Sequence, residues 1–136
     1  IGGVLKKTVG AIEDSGGAVV CFENCGGVKA AAGRIDPQAP DLIAAIAARY
    51  LRIGCAVLSP DEERRELLRR LTRDYAIDGV VEVDLQACTP YTVEAHGVGA
   101  LMRELGVPYL AVETDYSEGD LGQLRTRLEA FLEMLR

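Results

Sequence analysis

The chain has 136 residues, of which 49 % are apolar and 26 % charged, and it contains no tryptophan. This composition is that of an ordinary globular protein, and the length favours a single α/β domain over residues 1–136. The formal net charge is −6, and no basic stretch is interleaved with aromatic residues, which argues against a nucleic-acid groove. The apolar runs are far shorter than the ~18 residues that a membrane-spanning helix needs. We therefore expect a cytoplasmic protein that binds neither nucleic acid nor membrane.

Helical and strand-like patterns alternate along the chain. Apolar residues three or four positions apart predict helices, and short continuous apolar runs predict strands that are buried on both faces. The Gly- and Ala-rich segment 23–33 is predicted to be a loop, and Ser59 with Pro60 marks a helix start. The predicted helices cover residues 4–15, 41–51, 60–75, 92–105 and 120–134, and the predicted strands cover 18–22, 55–58, 78–83 and 107–112.

The order of these elements predicts the fold class. Strands that are joined by helices run parallel, with right-handed crossovers. We therefore expect an α/β fold, a three-layer Rossmann-like or flavodoxin-like domain with a parallel sheet of about four strands. The sequence begins at Ile1, with Gly2 and Gly3 opening a helix, and we expect it to be the C-terminal part of a longer subunit.

The four cysteines are the residues that most strongly indicate a site. Cys25, Cys55 and Cys88 are predicted near the ends of strands, whereas Cys21 lies inside an apolar run and is expected to be a core residue. Ligands of open α/β sheets bind beyond the carboxyl ends of the strands. Three thiols near that edge predict one convergent sulfur site. In a cytoplasmic protein we expect free thiols or metal ligands rather than disulfides.

Thiolate ligands favour zinc, Cu(I) or iron–sulfur clusters. A zinc site usually contains two close pairs of cysteines, but here only Cys21 and Cys25 are close in sequence. Single cysteines on separate loops suit an iron–sulfur cluster better. Two other interpretations stay open: a small zinc or redox-thiol protein, and a Rossmann-like interaction domain whose cysteines are structural.

Two cysteine motifs are specific enough to indicate a family. They are Phe22-Glu23-Asn24-Cys25-Gly26-Gly27 and Leu85-Gln86-Ala87-Cys88-Thr89-Pro90-Tyr91, supported by residues 77–81, 107–110, 113–117 and 122–131. Together they make the whole chain resemble the C-terminal domain of the 2-hydroxyacyl-CoA dehydratase and benzoyl-CoA reductase subunit superfamily. Because Cys55 and the Asn-Cys-Gly-Gly loop match that branch, the chain looks most similar to the double-cubane cluster proteins.

The resemblance implies an oxygen-sensitive enzyme component of an anaerobic reaction. It implies a 4Fe–4S cluster in each subunit of a homodimer or heterodimer, or a double-cubane 8Fe–9S cluster that reduces small molecules. A separate ATP-dependent activator protein would donate one low-potential electron. An acyl-CoA substrate would then become a ketyl radical anion and lose its hydroxyl group, which is a lyase reaction.

The resemblance also implies roles for particular residues. Its expected metal ligands are Cys25 and Cys88, with Cys55 third, and Gly26 and Gly27 would let the backbone approach the cluster. Further ligands would come from an N-terminal domain. The expected catalytic or orienting residues are Glu23, Asn24, Tyr91 and His96, and Arg125 or Arg127 would bind a CoA phosphate or a partner subunit. Thr89 stands where the family often has His, which weakens the expectation of a proton donor there.

Overall fold

The computed structural model describes residues 2–31, 33–58 and 60–136. The chain divides into two compact units, Ile1–Val20 with Ala76–Arg136 (the sheet unit) and Cys21–Tyr75 (the helical unit). In chain order the elements are α1 (Gly2–Asp14), α2 (Val28–Ala31), α3 (Leu42–Leu51), α4 (Glu62–Asp74), β1 (Val80–Leu85), α5 (Thr89–Leu105), β2 (Tyr109–Thr114) and α6 (Leu121–Met134).

The sheet unit is built on two parallel strands that α5 connects. β1 and β2 pair in register from Val80 opposite Tyr109 to Leu85 opposite Thr114. Gly106 ends α5 in the left-handed conformation, with φ of 68°, which a residue without a side chain adopts at little cost. The prediction of a mixed α/β fold with a parallel sheet is therefore confirmed.

One face of this sheet carries the core of the sheet unit. Val112 and the fully buried Leu128 pack with Ala11 of α1 and Leu124 of α6, and Val81, Val83, Leu110 and Ile12 pack around them. Because side chains alternate along a strand, these strand residues share one face. Burying a leucine such as Leu128 completely stabilises the fold by about 1.5–3 kcal/mol. The apolar stripes of α1 and α6 thus hold the sheet from one side.

The opposite face of the sheet contacts α5 through Tyr109. Its hydroxyl donates hydrogen bonds to Glu82 Oε2 at 2.6 Å and to the Ala95 carbonyl oxygen at 3.1 Å. A Cβ atom at Gly99 would lie 3.0 Å from the Tyr109 ring. A glycine at this position therefore allows α5 to lie against the strand.

The helical unit is organised by two helices with aspartate caps. Asp41 accepts from the Ala44 amide at 2.9 Å at the start of α3, and Asp61 accepts from the Arg64 amide at 3.2 Å at the start of α4. An aspartate N-cap stabilises a helix by about 1 kcal/mol. α4 buries Leu67, Leu68 and Leu71, whereas α3 has no buried residue among those described.

The structure departs from the sequence prediction at three segments. Residues 18–22 form neither helix nor strand, and Cys55 to Leu58 form a turn in which the Leu58 amide donates to the Cys55 carbonyl at 2.8 Å. Two of the four predicted strands therefore form in the described part of the chain. The predicted loop 23–33 contains the short helix α2. Ser59 lies outside the described residues.

These departures have one physical reason. An apolar run predicts that a segment is suited to burial, but only a neighbouring strand can satisfy its backbone hydrogen bonds in a ladder. Gly54 and Pro60 flank residues 55–58 and favour a turn. Across the described residues, no helix is long and apolar enough to cross a membrane.

Candidate functional site

Cys25 lies at the tip of a tight turn in the helical unit. The Asn24 side-chain oxygen accepts from the Gly26 amide at 2.9 Å, and the Asn24 carbonyl accepts from the Gly27 amide at 3.1 Å. A Cβ atom at Gly27 would collide with the Phe22 carbonyl oxygen, so only glycine fits there without a backbone shift. The Cys25 thiol is exposed. Hydrogen bonds within the turn thus hold Cys25 at an exposed position.

Glu23, two residues before Cys25, is held by two buried cations. Its Oε1 lies 2.6 Å from Lys29 Nζ, and its Oε2 accepts from Arg64 Nη2 at 3.2 Å and from Arg64 Nε at 3.4 Å. The side chains of Lys29 and Arg64 are 3 % and 4 % exposed. Because both carboxylate oxygens are ion-paired, the geometry gives Glu23 the role of fixing the Cys25 turn to α2 and α4.

Cys55 follows a glycine that packs against the start of α4. A Cβ atom at Gly54 would lie 2.6 Å from Arg64 Cα, so the backbone at this position approaches the helix more closely than any side chain would allow. Cys55 itself is half-buried and its sulfur is free. Gly54 therefore fixes the place of Cys55 relative to Arg64, the residue that also binds Glu23.

Cys88 follows β1 in the sheet unit and is the N-cap of α5. Its amide donates to the Leu85 carbonyl at 2.9 Å, and Ala87 before it has a φ of 65°. A left-handed alanine costs about 1–2 kcal/mol, which the surrounding turn must offset. The Cys88 side chain makes no capping hydrogen bond. Its free sulfur thus lies at a helix N-terminus, where the helix dipole favours an anionic ligand.

The two candidate catalytic residues on α5 occupy different positions. Tyr91 is half-buried in the first turn of the helix, close in sequence to Cys88, whereas His96 is exposed. His96 lies eight positions after Cys88 in the sequence, which corresponds to about 12 Å along the helix axis. The fold therefore brings Tyr91 close to the Cys88 end of α5 and places His96 away from it.

Cys21 differs from the other three cysteines. Burial raises the pKa of the Cys21 thiol, which disfavours the thiolate form that binds metals. The structure places Cys21 at a half-buried position rather than in the core, because the run 18–22 forms no paired strand.

The arginines expected to bind a CoA phosphate are engaged within the sheet unit. Arg125 Nη2 lies 2.9 Å from Asp14 Oδ2, and Arg127 Nη2 donates to the Ala111 carbonyl at 2.7 Å. Each side chain is thus committed to a contact that links α6 to a neighbouring element.

An iron–sulfur cluster can be tested against these thiols by their chemistry and setting. All four cysteines are free, Cys25 in an exposed turn and Cys88 between β1 and α5. Within the ranges 2–31, 33–58 and 60–136, no group of three His, Cys, Asp or Glu residues is close enough together to hold a metal ion. Free thiols have the chemistry that cluster ligation needs, but the described residues do not by themselves form a complete ligand set.

A buried lysine that the sequence analysis missed organises the carboxyl end of β2. Lys7 of α1 donates from Nζ to the Asp115 carbonyl at 3.0 Å, the Ser117 carbonyl at 2.7 Å and Asp120 Oδ1 at 2.6 Å. Thr114 Oγ1 donates to the other oxygen of Asp120 at 2.5 Å. These hydrogen bonds from Lys7 and Thr114 lower the pKa of Asp120.

The sequence contained a signal for this cluster. Lys7 lies three residues after Val4 and four before Ala11, so it shares their helix face, and all three are buried. A lysine on an apolar helix stripe indicates a buried ion pair. Glu82 and Asp84 of β1 give the same kind of signal, because they alternate with valines and both are buried.

Comparison with known proteins identifies the family. The family model of the 2-hydroxyglutaryl-CoA dehydratase D-component matches residues 1–135. The chain belongs to this family. It is 46 % identical over 136 residues to "Putative dehydratase subunit YjiM" of Escherichia coli (strain K12). The aligned region covers 99 % of the chain and 35 % of that protein.

A second relative is more distant. The chain is 24 % identical over 102 residues to the (R)-phenyllactyl-CoA dehydratase beta subunit of Clostridium sporogenes, covering 74 % of the chain and 27 % of that protein. The chain thus spans about a third or less of the length of the curated relatives it matches. The resemblance that the cysteine motifs carry is confirmed by these matches.

Proposed function

We propose that the chain is part of a cluster-bearing subunit of a 2-hydroxyacyl-CoA dehydratase. The observation that carries the proposal is Cys88, a free thiol at the junction of β1 and the N-terminus of α5 in a chain of the dehydratase D-component family. An iron–sulfur cluster, when bound, would supply one-electron reduction of the acyl-CoA substrate. The electron donor would be an ATP-dependent activator, and the subunit would act with a second subunit.

The residues of this chain would divide the work as follows. Cys25 and Cys88 would ligate the cluster, with Cys55 as the third candidate. The Gly26 and Gly27 amides, which bind Asn24, would hold the turn that carries the Cys25 sulfur. The ion pairs of Glu23 would keep that turn fixed during electron transfer. A rigid turn matters because a ligand set must keep its geometry while the charge on the cluster changes.

Tyr91 would act close to Cys88. A phenolic hydroxyl near a cluster can donate a hydrogen bond to its sulfur atoms and so raise the reduction potential. His96 lies about 12 Å further along α5, so we assign it no role at Cys88. Asn24 would act through its hydrogen bond to the Gly26 amide, which shapes the turn.

The test is the content of iron and acid-labile sulfide in the complete subunit, purified without oxygen. About four iron per chain supports a single 4Fe–4S cluster, and about twice that amount supports a double cubane. Neither result alone identifies a dehydratase, so hydroxyl loss from a 2-hydroxyacyl-CoA is then measured with the activator present. Zinc in place of iron, or no metal in an anaerobic preparation, would refute the proposal.

Cysteine variants connect the cluster to this chain. Cys25→Ser and Cys88→Ser are expected to lose iron, because serine does not replace a thiolate as a soft ligand. Cys21→Ser is the matched control, since its thiol is half-buried and protonated. That variant should keep its iron and lose only packing. Normal iron content in the Cys88 variant would remove the main support for the site.

The double-cubane alternative rests on a specific feature of the helical unit. Cys55 is held at a fixed place by the close packing of Gly54 on α4, as expected for a ligand rather than a loose surface thiol. If Cys55→Ser halves the iron content and leaves the remaining cluster intact, the double-cubane branch is favoured and small molecules replace acyl-CoA as the candidate substrates.

A further inference from the structure

The helical unit contains a cavity with a strongly basic lining. Its volume is about 330 Å³. Five cationic side chains line the cavity, whereas only two carboxylates do, those of Asp36 and Glu63. The chain as a whole carries a net charge of −6. The cations are Lys29, Arg34, Arg49, Arg52 and Arg70. Five of the 15 Lys and Arg residues thus line one concavity, and a concentration of positive charge attracts anions.

Two of the five cations are used to build the cavity wall. Lys29 pairs with Glu23. Arg49 donates from Nε to the Gly33 carbonyl at 3.1 Å, and a Cβ atom at Gly33, where φ is 87°, would lie 3.0 Å from that same nitrogen. The guanidinium of Arg49 thus holds the loop at Gly33, and Arg34 is the residue that follows Gly33 in the sequence.

The other three cations are available to a ligand. Arg34, Arg52 and Arg70 are exposed, and their side chains make no hydrogen bond or ion pair with any other described residue. They come from three different elements: the loop before α3, the C-cap of α3 and the third turn of α4. Guanidinium groups that converge from separate elements match the several oxygens of a phosphate, which they bind in bidentate fashion.

The size and lining of the cavity restrict the ligand. A volume of about 330 Å³ is at the lower end of the range for small-molecule sites, roughly 300–1,000 Å³, so it holds part of a large ligand. The lining residues described include no aromatic side chain on which a base would stack. Recognition would therefore depend on phosphate groups, with Ile35, Ile53 and Leu67 as the apolar surface.

We infer that this cavity binds the phosphate groups of coenzyme A and anchors the thioester substrate of the proposed dehydratase. The inference rests on the proposed function for the identity of the ligand. It names a site that is separate from Arg125 and Arg127, which are engaged with Asp14 and the Ala111 carbonyl. Coenzyme A carries three phosphates close to its adenosine, and a basic cavity of this size would hold that end while the thioester extends out of it.

The experiment is calorimetric binding of CoA to the complete subunit, in wild-type form and as Arg52→Gln and Arg70→Gln variants. Each variant should bind CoA about ten-fold more weakly, because one charge-assisted contact to phosphate is lost. Arg73→Gln is the matched control: Arg73 lies on α4, is exposed, and pairs with Asp74, so this variant should bind as the wild type does. The wild-type affinity should also fall as salt is raised.

Binding of dephospho-CoA, ADP and inorganic phosphate, measured in the same way, shows whether the cavity recognises CoA or phosphate compounds in general. Weaker binding of dephospho-CoA and ADP than of CoA, with the same dependence on Arg52 and Arg70, supports the inference. If ADP binds as tightly as CoA, the cavity is a nucleotide site and the inference is overturned. Equal CoA affinity in all three variants overturns it as well.

Chemical modification of the wild-type protein provides a test that does not depend on variants. Phenylglyoxal should modify Arg34, Arg52 and Arg70, and CoA should slow that modification while leaving Arg73 unaffected. Unchanged modification at saturating CoA contradicts the site. Neither measurement uses the cluster, so failure of the cavity proposal is distinguishable from failure of the proposed function. CoA binding by a subunit that contains no iron refutes the dehydratase. A subunit that contains iron and dehydrates its substrate, but shows no effect of CoA at these arginines, refutes only the cavity.

Discussion

Replacing Lys7 by methionine should destabilise the protein by about 2–3 kcal/mol. Lys7 Nζ donates to three oxygens at 2.6–3.0 Å, and its side chain is 4 % exposed. Removing one partner of a buried ion pair costs about 3–5 kcal/mol. The Asp120 side chain is 28 % exposed, so water reaches the carboxylate and reduces the cost. Methionine keeps most of the aliphatic stem, so the loss reflects the ammonium group rather than packing.

The assay is urea denaturation of Lys7→Met beside Lys6→Met. Lys6 is exposed and adjacent in sequence, so its replacement should change the free energy of unfolding by no more than about 0.5 kcal/mol. Hydrogen exchange should also speed up at residues 115–120, because the Asp115 and Ser117 carbonyls lose their donor. Similar unfolding free energies for the two variants would refute the reasoning, because the ion pair with Asp120 would then contribute no more than a surface charge.

A double-mutant cycle separates the two parts of this effect. If Lys7 acts mainly through Asp120, the Asp120→Asn replacement in the Lys7→Met background should cost much less than it does in the wild type, with a coupling energy of about 1–2 kcal/mol. A coupling energy near zero would assign the stabilisation to the two carbonyls of the β2–α6 loop instead.

Three further predictions follow from the described contacts. Gly27→Ala should displace the Cys25 turn, because its Cβ would collide with the Phe22 carbonyl. We expect a lower iron content and a free energy of unfolding that is lower by about 1–3 kcal/mol. Gly97→Ala is the control, since there is open space around Gly97. Tyr109→Phe removes a donor to the buried Glu82 and should cost about 1–3 kcal/mol in the free energy of unfolding. The folded-state pKa of Asp120 is lowered. The stabilisation from its carboxylate is therefore fully present above the unfolded pKa of about 3.9 and disappears as the pH falls through the folded value. The difference in unfolding free energy between wild type and Asp120→Asn should shrink below about pH 4, and a constant difference down to pH 2 would contradict this.

Local sequence patterns determined most of the helices and the parts of the site that lie within one turn. The spacing of apolar residues predicted α1, α3, α4, α5 and α6 to within three residues of their observed ends. The loop position of Cys25 and the position of Cys88 between a strand and a helix were also readable, because turns depend on residues only a few positions apart. Family membership followed from the same local motifs.

Tertiary structure decided what depends on residues that are distant in sequence. The runs at 18–22 and 55–58 are apolar enough for strands, but a strand also needs a paired neighbour, and composition does not specify one. Lys7 meets Asp120 across 113 residues and Glu23 meets Arg64 across 41; neither pair could be assigned from spacing. The convergence of Arg34, Arg52 and Arg70 on one cavity likewise arises only when the loop before α3, the end of α3 and α4 come together, because the energy of a charge cluster depends on distance in space.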